Sequence, residues 1–217
     1  MLSPLLRDPA SPRLTVYDET RGTRMEFSGQ TLDNWANKVA NMLLEEFDLA
    51  PGSPVLLDLP ASWQCAAIAL GAYNAQCIPL FDVSSNPPPV TFTTFERAEA
   101  WSAAPDVVVV SDDPFGRGVV ESGGELPVGT VDFGPTVRFY GDQFYGDSGQ
   151  LADFAADGFG PHRYLAAPWS SRGEFEHNVL APLAAGGSVV VATGLIPAER
   201  LEHIVEVEKV THFLTQR

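Results

Sequence analysis

Basic residues are scarce in this chain of 217 residues: 13 Lys and Arg face 28 Asp and Glu, a formal net charge of −15. No lysine occurs between Lys38 and Lys209. A polyanionic partner is repelled by such a chain, which disfavours nucleic acid and an anionic membrane surface alike. Cysteine is nearly absent. Cys65 and Cys77 both lie in apolar context and read as buried free thiols, not as a disulfide framework. Apolar runs are short, and none approaches the roughly 18 residues of a membrane span. The opening residues, MLSPLLRDPASPRL, lack the apolar core of a signal peptide. These absences together predict a cytoplasmic protein with no membrane partner. No P-loop and no Gly-x-Gly-x-x-Gly fingerprint is found.

What is present is an alternation of helix and strand. The stretch 28–82 organises the rest. Ser28 is a candidate N-cap, and Asp33 falls near the positive end of the helix dipole. Leu32, Trp35, Ala36, Val39, Leu43 and Phe47 form one apolar stripe at i, i+3, i+4 spacing. Asn34, Asn37, Lys38, Asn41 and Glu45 lie mostly off that stripe. Pro51 and Gly52 end the helix. Residues 55–59 are too few for a helix and predict a buried strand. Residues 62–75 are apolar on nearly every side and predict a helix covered all round, with a second strand over 77–81.

Elsewhere the pattern is similar. Residues 1–13 are Pro-rich and predict a loose arm. Residues 14–18 and 24–27 flank Thr20-Arg21-Gly22-Thr23 and predict a hairpin turning at Gly22. Residues 82–89 form a Ser-Asn-Pro loop. Strands are expected over 90–93, 107–111, 163–167, 187–192 and 210–214, and helices over 94–103, 173–184 and 198–208. Residues 112–130 are turn-rich, 136–140 alternate weakly, and 143–160 fit no element. The fold class is α/β, a parallel-rich sheet with flanking helices. The expected organisation is a single domain over 1–217, with two β-α-β layers, about 14–111 and 163–215, joined by an irregular segment.

The stretch 28–82 resembles the opening of the AMP-binding, adenylate-forming enzymes, which include acyl-CoA synthetases, the adenylation domains of peptide synthetases, and luciferases. The matching residues are Ala36-Asn37 with Ala40 and Leu43, then Pro51-Gly52-Ser53-Pro54-Val55, Leu59-Pro60-Ala61-Ser62, and Ala75-Gln76-Cys77-Ile78-Pro79-Leu80. In the second half, residues 183–190 resemble the family's L-L-x-G-G-x-x-V segment, and residues 201–214 its next helix and V-T strand. The resemblance implies the first subdomain of the adenylate-forming fold. Residues 113–117 and 140–144 resemble short stand-alone relatives of these enzymes, which implies that the short form is natural.

The family's phosphate loop, S-G-T-T-G-x-P-K, has no counterpart between the two halves. Ser122-Gly123-Gly124 occurs there without the adjacent threonines or lysine. The family's Y-G-x-T-E segment, ribose-binding Asp and C-terminal catalytic Lys are not in the sequence either. No catalytic residue, no metal ligand and no cofactor is therefore expected. The reading is a non-catalytic relative that binds a small acyl- or nucleotide-like ligand or a protein partner. The alternative is a ligase completed by a partner chain, the one case in which ATP and Mg²⁺ are expected.

Parallel sheets bind ligands outside the C-terminal ends of their strands. That placement nominates Ser62, Asp82, Trp169, Ser170, Ser171 and His177 as a candidate pocket. By the resemblance, Trp169 falls beside the acyl site; packing in a core or an interface is its other reading. Gly146-Asp147-Ser148-Gly149 matches the nucleophile string of trypsin-like proteases, but no base or oxyanion hole accompanies it, and it reads as a loop. Glu174, Glu176 and His177 are too few for a metal centre and read as a solvated helix start. Asp112-Asp113 before Pro114 reads as a turn, and His203 with Glu199 and Glu206 as an exposed helix face. A sheet that stops at residue 214 exposes an edge, so a homodimer or a second protein is expected to cover it.

Overall fold

The structure is a computed structural model that describes residues 1–82 and 87–214. Part of the loop expected over 82–89 lies outside the described residues. Among the described residues no helix is long and apolar enough to cross a membrane. The chain divides into two compact units: Met1–Asp33, Ala61–Trp63 and Gln150–Arg217 form one, Asn34–Pro60 and Gln64–Gly149 the other.

The first unit holds a five-stranded sheet in the order β10-β8-β9-β1-β2. Its strands are β1 (Pro12–Asp18), β2 (Thr23–Ser28), β8 (Arg163–Ala166), β9 (Ser188–Thr193) and β10 (His212–Leu214). β1 and β2 form the expected hairpin, antiparallel, with Gly22 at φ +65° in its turn. The hairpin was expected in the layer 14–111. Instead β1 runs parallel to β9, pairing Leu14 with Val189 and Val16 with Val191. β1 offers four consecutive buried residues, Leu14 to Tyr17, and so needs cover on both faces. The helix α6 (Ala198–Val207) covers one face, its Ile204 packing with Tyr17, Val190 and Ala192.

The N-terminal arm is not loose. Ser3–Arg7 forms a 3-10 turn, with Leu2 and Leu5 fully buried. A Cβ at Gly29 would lie 3.3 Å from that of Leu5, so glycine lets the arm lie against the start of the next helix. The helix expected over 173–184 is three pieces: α4 (Arg172–Phe175), a π-helical turn (Glu176–Leu180) and α5 (Ala181–Ala184). Pro182 accounts for the break, because it has no N–H and its ring crowds the carbonyl a turn earlier. The wider π turn supplies the room.

The second unit holds a sheet in the order β4-β3-β5-β6-β7, parallel throughout. The strands are β3 (Pro54–Asp58), β4 (Ile78–Leu80), β5 (Val90–Thr94), β6 (Asp106–Val110) and β7 (Val131–Asp132). The helix α1 (Gly29–Glu45) begins in the first unit and continues in the second, and Ser28 caps it: its hydroxyl accepts from the Thr31 N–H at 3.2 Å. The helix α2 (Trp63–Asn74) is buried on every side, as its sequence predicts. A Cβ at Gly71 would overlap Val39 of α1, so glycine sets how closely the two helices approach. α2 ends with Gln76 at φ +55°, where the Cys77 N–H reaches the Ala72 carbonyl at 2.8 Å.

Two expectations change here. The helix over 94–103 is a 3-10 helix, Phe95–Trp101. Residues 136–140, which alternate weakly, do not form a strand; the short helix α3 (Phe133–Val137) takes the first two of them and a turn follows. Pro135 falls in its first turn, where a missing N–H costs nothing.

Candidate functional site

In the first unit the segment leaving β8 carries four of the six nominated residues. Trp169 is buried and packs edge-on against Phe175, ring centroids 5.2 Å apart. Ser171 caps α4, its hydroxyl accepting from the Glu174 N–H at 3.2 Å. Glu174 in turn accepts from the Ser170 N–H at 2.7 Å and hydroxyl at 2.9 Å. These contacts hold the Glu174 carboxyl below the usual carboxylate range, the Ser170 N–H first. Asn178, in the π turn, donates to the Ala167 carbonyl at 2.9 Å and ties the helix to the end of β8. His177 packs edge-on against Phe159 at 5.3 Å, and Phe159 packs against Tyr164 near the start of β8. Trp169, Ser170 and Ser171 are thus together, while Glu174 and His177 are tied to different groups. Ser62 is half-buried in the same unit, and Asp82 is exposed in the other.

In the second unit the C-terminal ends of β3, β5 and β6 carry a dense polar lattice. Asp58 accepts from Thr93 Oγ1 at 3.1 Å and Trp101 Nε1 at 2.7 Å, and pairs with Arg97. Gln64, at the start of α2, donates to the Asp113 carbonyl at 2.9 Å. Asp113 accepts from the N–H groups of Phe115 (2.9 Å) and Arg117 (3.2 Å) and from the Arg117 guanidinium (2.7 Å). The Arg117 guanidinium, more than the backbone, holds the Asp113 carboxyl below its ordinary range. The expected turn at Asp113-Pro114 is present in this form.

The loop that follows is built for close approach. A Cβ at Gly118 would fall inside the Asp132 carboxylate, and one at Gly134 would lie 2.6 Å from the Gly116 carbonyl oxygen. Three successive N–H groups face carboxylates there. Gly118 donates to Glu121 Oε2 at 2.7 Å, Val119 to Asp132 Oδ1 at 3.1 Å, and Val120 to Asp132 Oδ2 at 3.3 Å. Arg138 grips both oxygens of Glu121, at 2.5 and 2.6 Å. Sequence reasoning missed this lattice. Gly116-Arg117-Gly118 was a local hint, but Asp132 and Arg138 lie too far along the chain to be paired by spacing.

The segment 138–149 is tied down by polar side chains of the helices. Asn37 donates to the Asp142 carbonyl (2.9 Å), Lys38 to Tyr140 (2.6 Å), and Asn41 to Gly141 (3.1 Å) and Gln143 (2.9 Å). Asn74 donates to Asn37 at 2.8 Å and accepts at its carbonyl from the Gly149 N–H. The protease-like string 146–149 is part of this strap. Asn37 and Asn41, which the sequence places off the apolar stripe, are buried beneath it. Burial pushes the Cys77 thiol up to about 11, and among the described residues neither Cys65 nor Cys77 forms a disulfide. Glu199, His203 and Glu206 are exposed on α6. Among the described residues no group of three or more His, Cys, Asp or Glu is placed to hold a metal ion.

The sequence matches no family profile. It is 37% identical to a Mycobacterium tuberculosis protein described as "TIGR03089 family protein", over 99% of this chain and 96% of that one. The fold is similar to a Brucella canis acyl-CoA synthetase (TM-score 0.72, 19% identity), covering 94% of this chain and 44% of that one. It is also similar to the anthranilate CoA ligase AuaEII, solved with anthranoyl-AMP (TM-score 0.70, 17% identity; 98% and 48% covered). A third is apo MatB from Rhodopseudomonas palustris (TM-score 0.70, 14% identity; 98% and 47% covered). The chain therefore has the fold of acyl-CoA synthetases and spans less than half the length of these three structures.

Proposed function

The chain belongs to the TIGR03089 family, and from that premise we propose a non-catalytic relative of the adenylate-forming enzymes that binds a small acyl- or nucleotide-like ligand. One observation supports this reading above others. At the end of β6 the N–H groups and guanidiniums that a triphosphate would need are already engaged by Asp113, Glu121 and Asp132. No lysine lies between Lys38 and Lys209 to add charge. Phosphate cradles work through free N–H groups and a cation. The segment Trp169–Ser171 after β8 is the part of the first unit assigned to the ligand, following the rule for parallel strand ends.

A protein partner is the second reading, and Phe139 and Tyr145 favour it. They are 90% and 87% exposed on the strap, whose backbone is fixed by buried asparagines. Rigidly presented aromatic side chains are the usual anchors of protein interfaces. The alternative, a ligase completed by a partner chain, requires MgATP. Calorimetric titration with ATP, AMP and an acyl-adenylate analogue separates the cases. Binding of the analogue or of AMP, with no heat from MgATP and no pyrophosphate exchange, is the expected result. Pyrophosphate exchange by the purified chain overturns the non-catalytic reading.

A further inference from the structure

We propose that the strap 138–149, together with the end of α1, is a docking face for a basic protein segment that presents arginines to Phe139, Tyr145 and the carboxylates beside them. The inference rests on the protein-partner reading above and supplies the chemistry of that partner.

The strap is fixed through its backbone and leaves its rings outside. Its carbonyls at 140–143 accept from Asn37, Lys38 and Asn41, and the Asp147 carbonyl accepts from Gln76 at 3.0 Å. Phe139 and Tyr145, 90% and 87% exposed, add nothing to the core. Single exposed apolar side chains are ordinary. Two aromatic rings on one rigid segment are what an interface presents.

The sign of the partner follows from the charges around the strap. The Lys and Arg residues of the second unit are Lys38, Arg97, Arg117 and Arg138. Each is paired with a carboxylate of that unit, in turn Asp142, Asp58, Asp113 and Glu121. Glu45, Glu46, Asp48 and Asp147 are exposed and have no such partner among the described residues. Tyr140 joins the strap to the first of these groups, its hydroxyl donating to Glu46 at 2.6 Å. Burial first, then Glu46 and Glu45, push the Tyr140 phenol above its ordinary value. The helix itself ends on the unfavourable charge. No basic residue lies in the last turn of α1, where the carbonyl dipoles favour a cation; Glu45 and, just past it, Glu46 stand there instead. An external cation relieves a repulsion that the fold leaves in place. Arginine suits the face better than lysine, because a planar guanidinium stacks on an aromatic ring and pairs both oxygens of a carboxylate.

The test uses three hexapeptides that alternate leucine with arginine, glutamine or glutamate. Each is titrated into the full chain and read at the amide resonances of residues 45–48 and 139–147. The arginine peptide should give saturable shifts confined to these residues, at least tenfold tighter than the glutamine peptide, and the glutamate peptide should give none. Phe139→Ser combined with Tyr145→Ser keeps the net charge and should weaken the arginine peptide at least tenfold. Glu45→Lys should weaken it as much while raising the denaturant midpoint, since it corrects the helix end. All three positions are exposed, so the variants are expected to fold, and circular dichroism with the remaining amide spectrum checks that they do. Shifts spread over the whole acidic surface, or an affinity that survives the loss of both rings, overturn the proposal, because the attraction is then that of net charge alone. Undiminished affinity in Glu45→Lys overturns it too. Equal saturation by the glutamine peptide leaves a docking strap but overturns the basic partner. No shift at the strap with any peptide removes the protein-partner reading as well.

Discussion

Across one face of β10-β8-β9-β1-β2 runs a chain of charges, whereas β4-β3-β5-β6-β7 keeps its buried carboxylates at the strand ends. In the first sheet Glu208, just past α6 and 3% exposed in its side chain, accepts from Tyr17 (2.6 Å) and Arg24 (2.7 Å) and pairs with Arg163. Arg24 reaches on to Glu26 at 2.6 Å, and Arg163 to Thr15 at 3.0 Å. One carboxylate thereby ties α6 to β1, β2 and β8. In the second sheet Asp58, Asp113 and Asp132 are the buried carboxylates among the described residues, each at or just after the end of β3, β6 or β7. Central strands buried on both faces need apolar runs, and Val55-Leu56-Leu57 and Val107 to Val110 supply them. The difference shows two ways of fixing register: a charge network across a face, or apolar burial with polar ties at the loops.

Removing the centre of the network has the largest expected effect. Glu208→Ala removes the buried partner of Arg24 and Arg163. Because Arg24 is 41% exposed and keeps Glu26, and Arg163 keeps Thr15, the loss falls below that of an uncompensated buried charge, at about 2–3 kcal/mol. Hydrogen exchange should show the greatest loss of protection in β1, β2 and β8. A change under 1 kcal/mol would show the network to be ornamental. The same carboxylate makes the region sensitive to acid. Burial acts to raise its pKa, but the hydrogen bonds from Arg24, Tyr17 and Arg163 outweigh that and hold it at about 2. A carboxyl depressed in the folded state contributes stability above its unfolded pKa, near 4.5, and loses it as pH falls from there toward about 2. Protection of the β1 and β8 amides should therefore decline over that window in wild type, and decline less steeply in Glu208→Gln.

Gly71→Ala probes the second way of fixing register. Alanine favours a helix interior over glycine by about 1 kcal/mol. The new methyl would overlap the Val39 side chain, beginning at its Cβ, which cannot swing aside. Overpacking of that kind costs about 1–3 kcal/mol, so net destabilisation is expected. Denaturant melts of the variant and wild type decide it, and a stabilised variant would show that α1 and α2 yield.

The regular core of both sheets was legible because short apolar runs and one all-apolar helix leave few alternatives. The strand runs at 55–59, 107–111 and 187–192 and the helix at 62–75 match the structure to within a few residues. What was illegible depends on partners distant in sequence. β1 joins the sheet of β9 because Leu14 to Asp18 pair with Val189 to Thr193, which no local pattern announces. Asn37 and Asn41 lie off the apolar stripe, and nothing local announces their burial, because their acceptors, the carbonyls of Asp142, Gly141 and Gln143, lie in a segment of no recognisable period. At the candidate site, Ser171 and Glu174 have the spacing of a helix cap, which explains their contact without a ligand. The Glu121–Arg138 contact carried no such signal.

The smallest effect lies on β5, at the middle of the apolar sheet. Thr91 is fully buried, and its hydroxyl has no hydrogen-bond partner among the described residues. Its neighbours across the pairing are Leu56 and Val107, both apolar. Thr93, two residues on, has its hydroxyl on Asp58. A buried hydroxyl without a partner loses its hydration and receives nothing in return, a cost of about 1–3 kcal/mol. Valine has nearly the same shape and the same branched Cβ, so Thr91→Val removes that cost without opening a cavity. The expected result is a stabilisation of about 1 kcal/mol, read as a higher denaturant midpoint at unchanged slope. Thr93→Val is the control, because it strips a hydrogen bond from buried Asp58 and should destabilise. If Thr91→Val also destabilises, the sheet interior is not the apolar environment that separates it from the charge-bridged one.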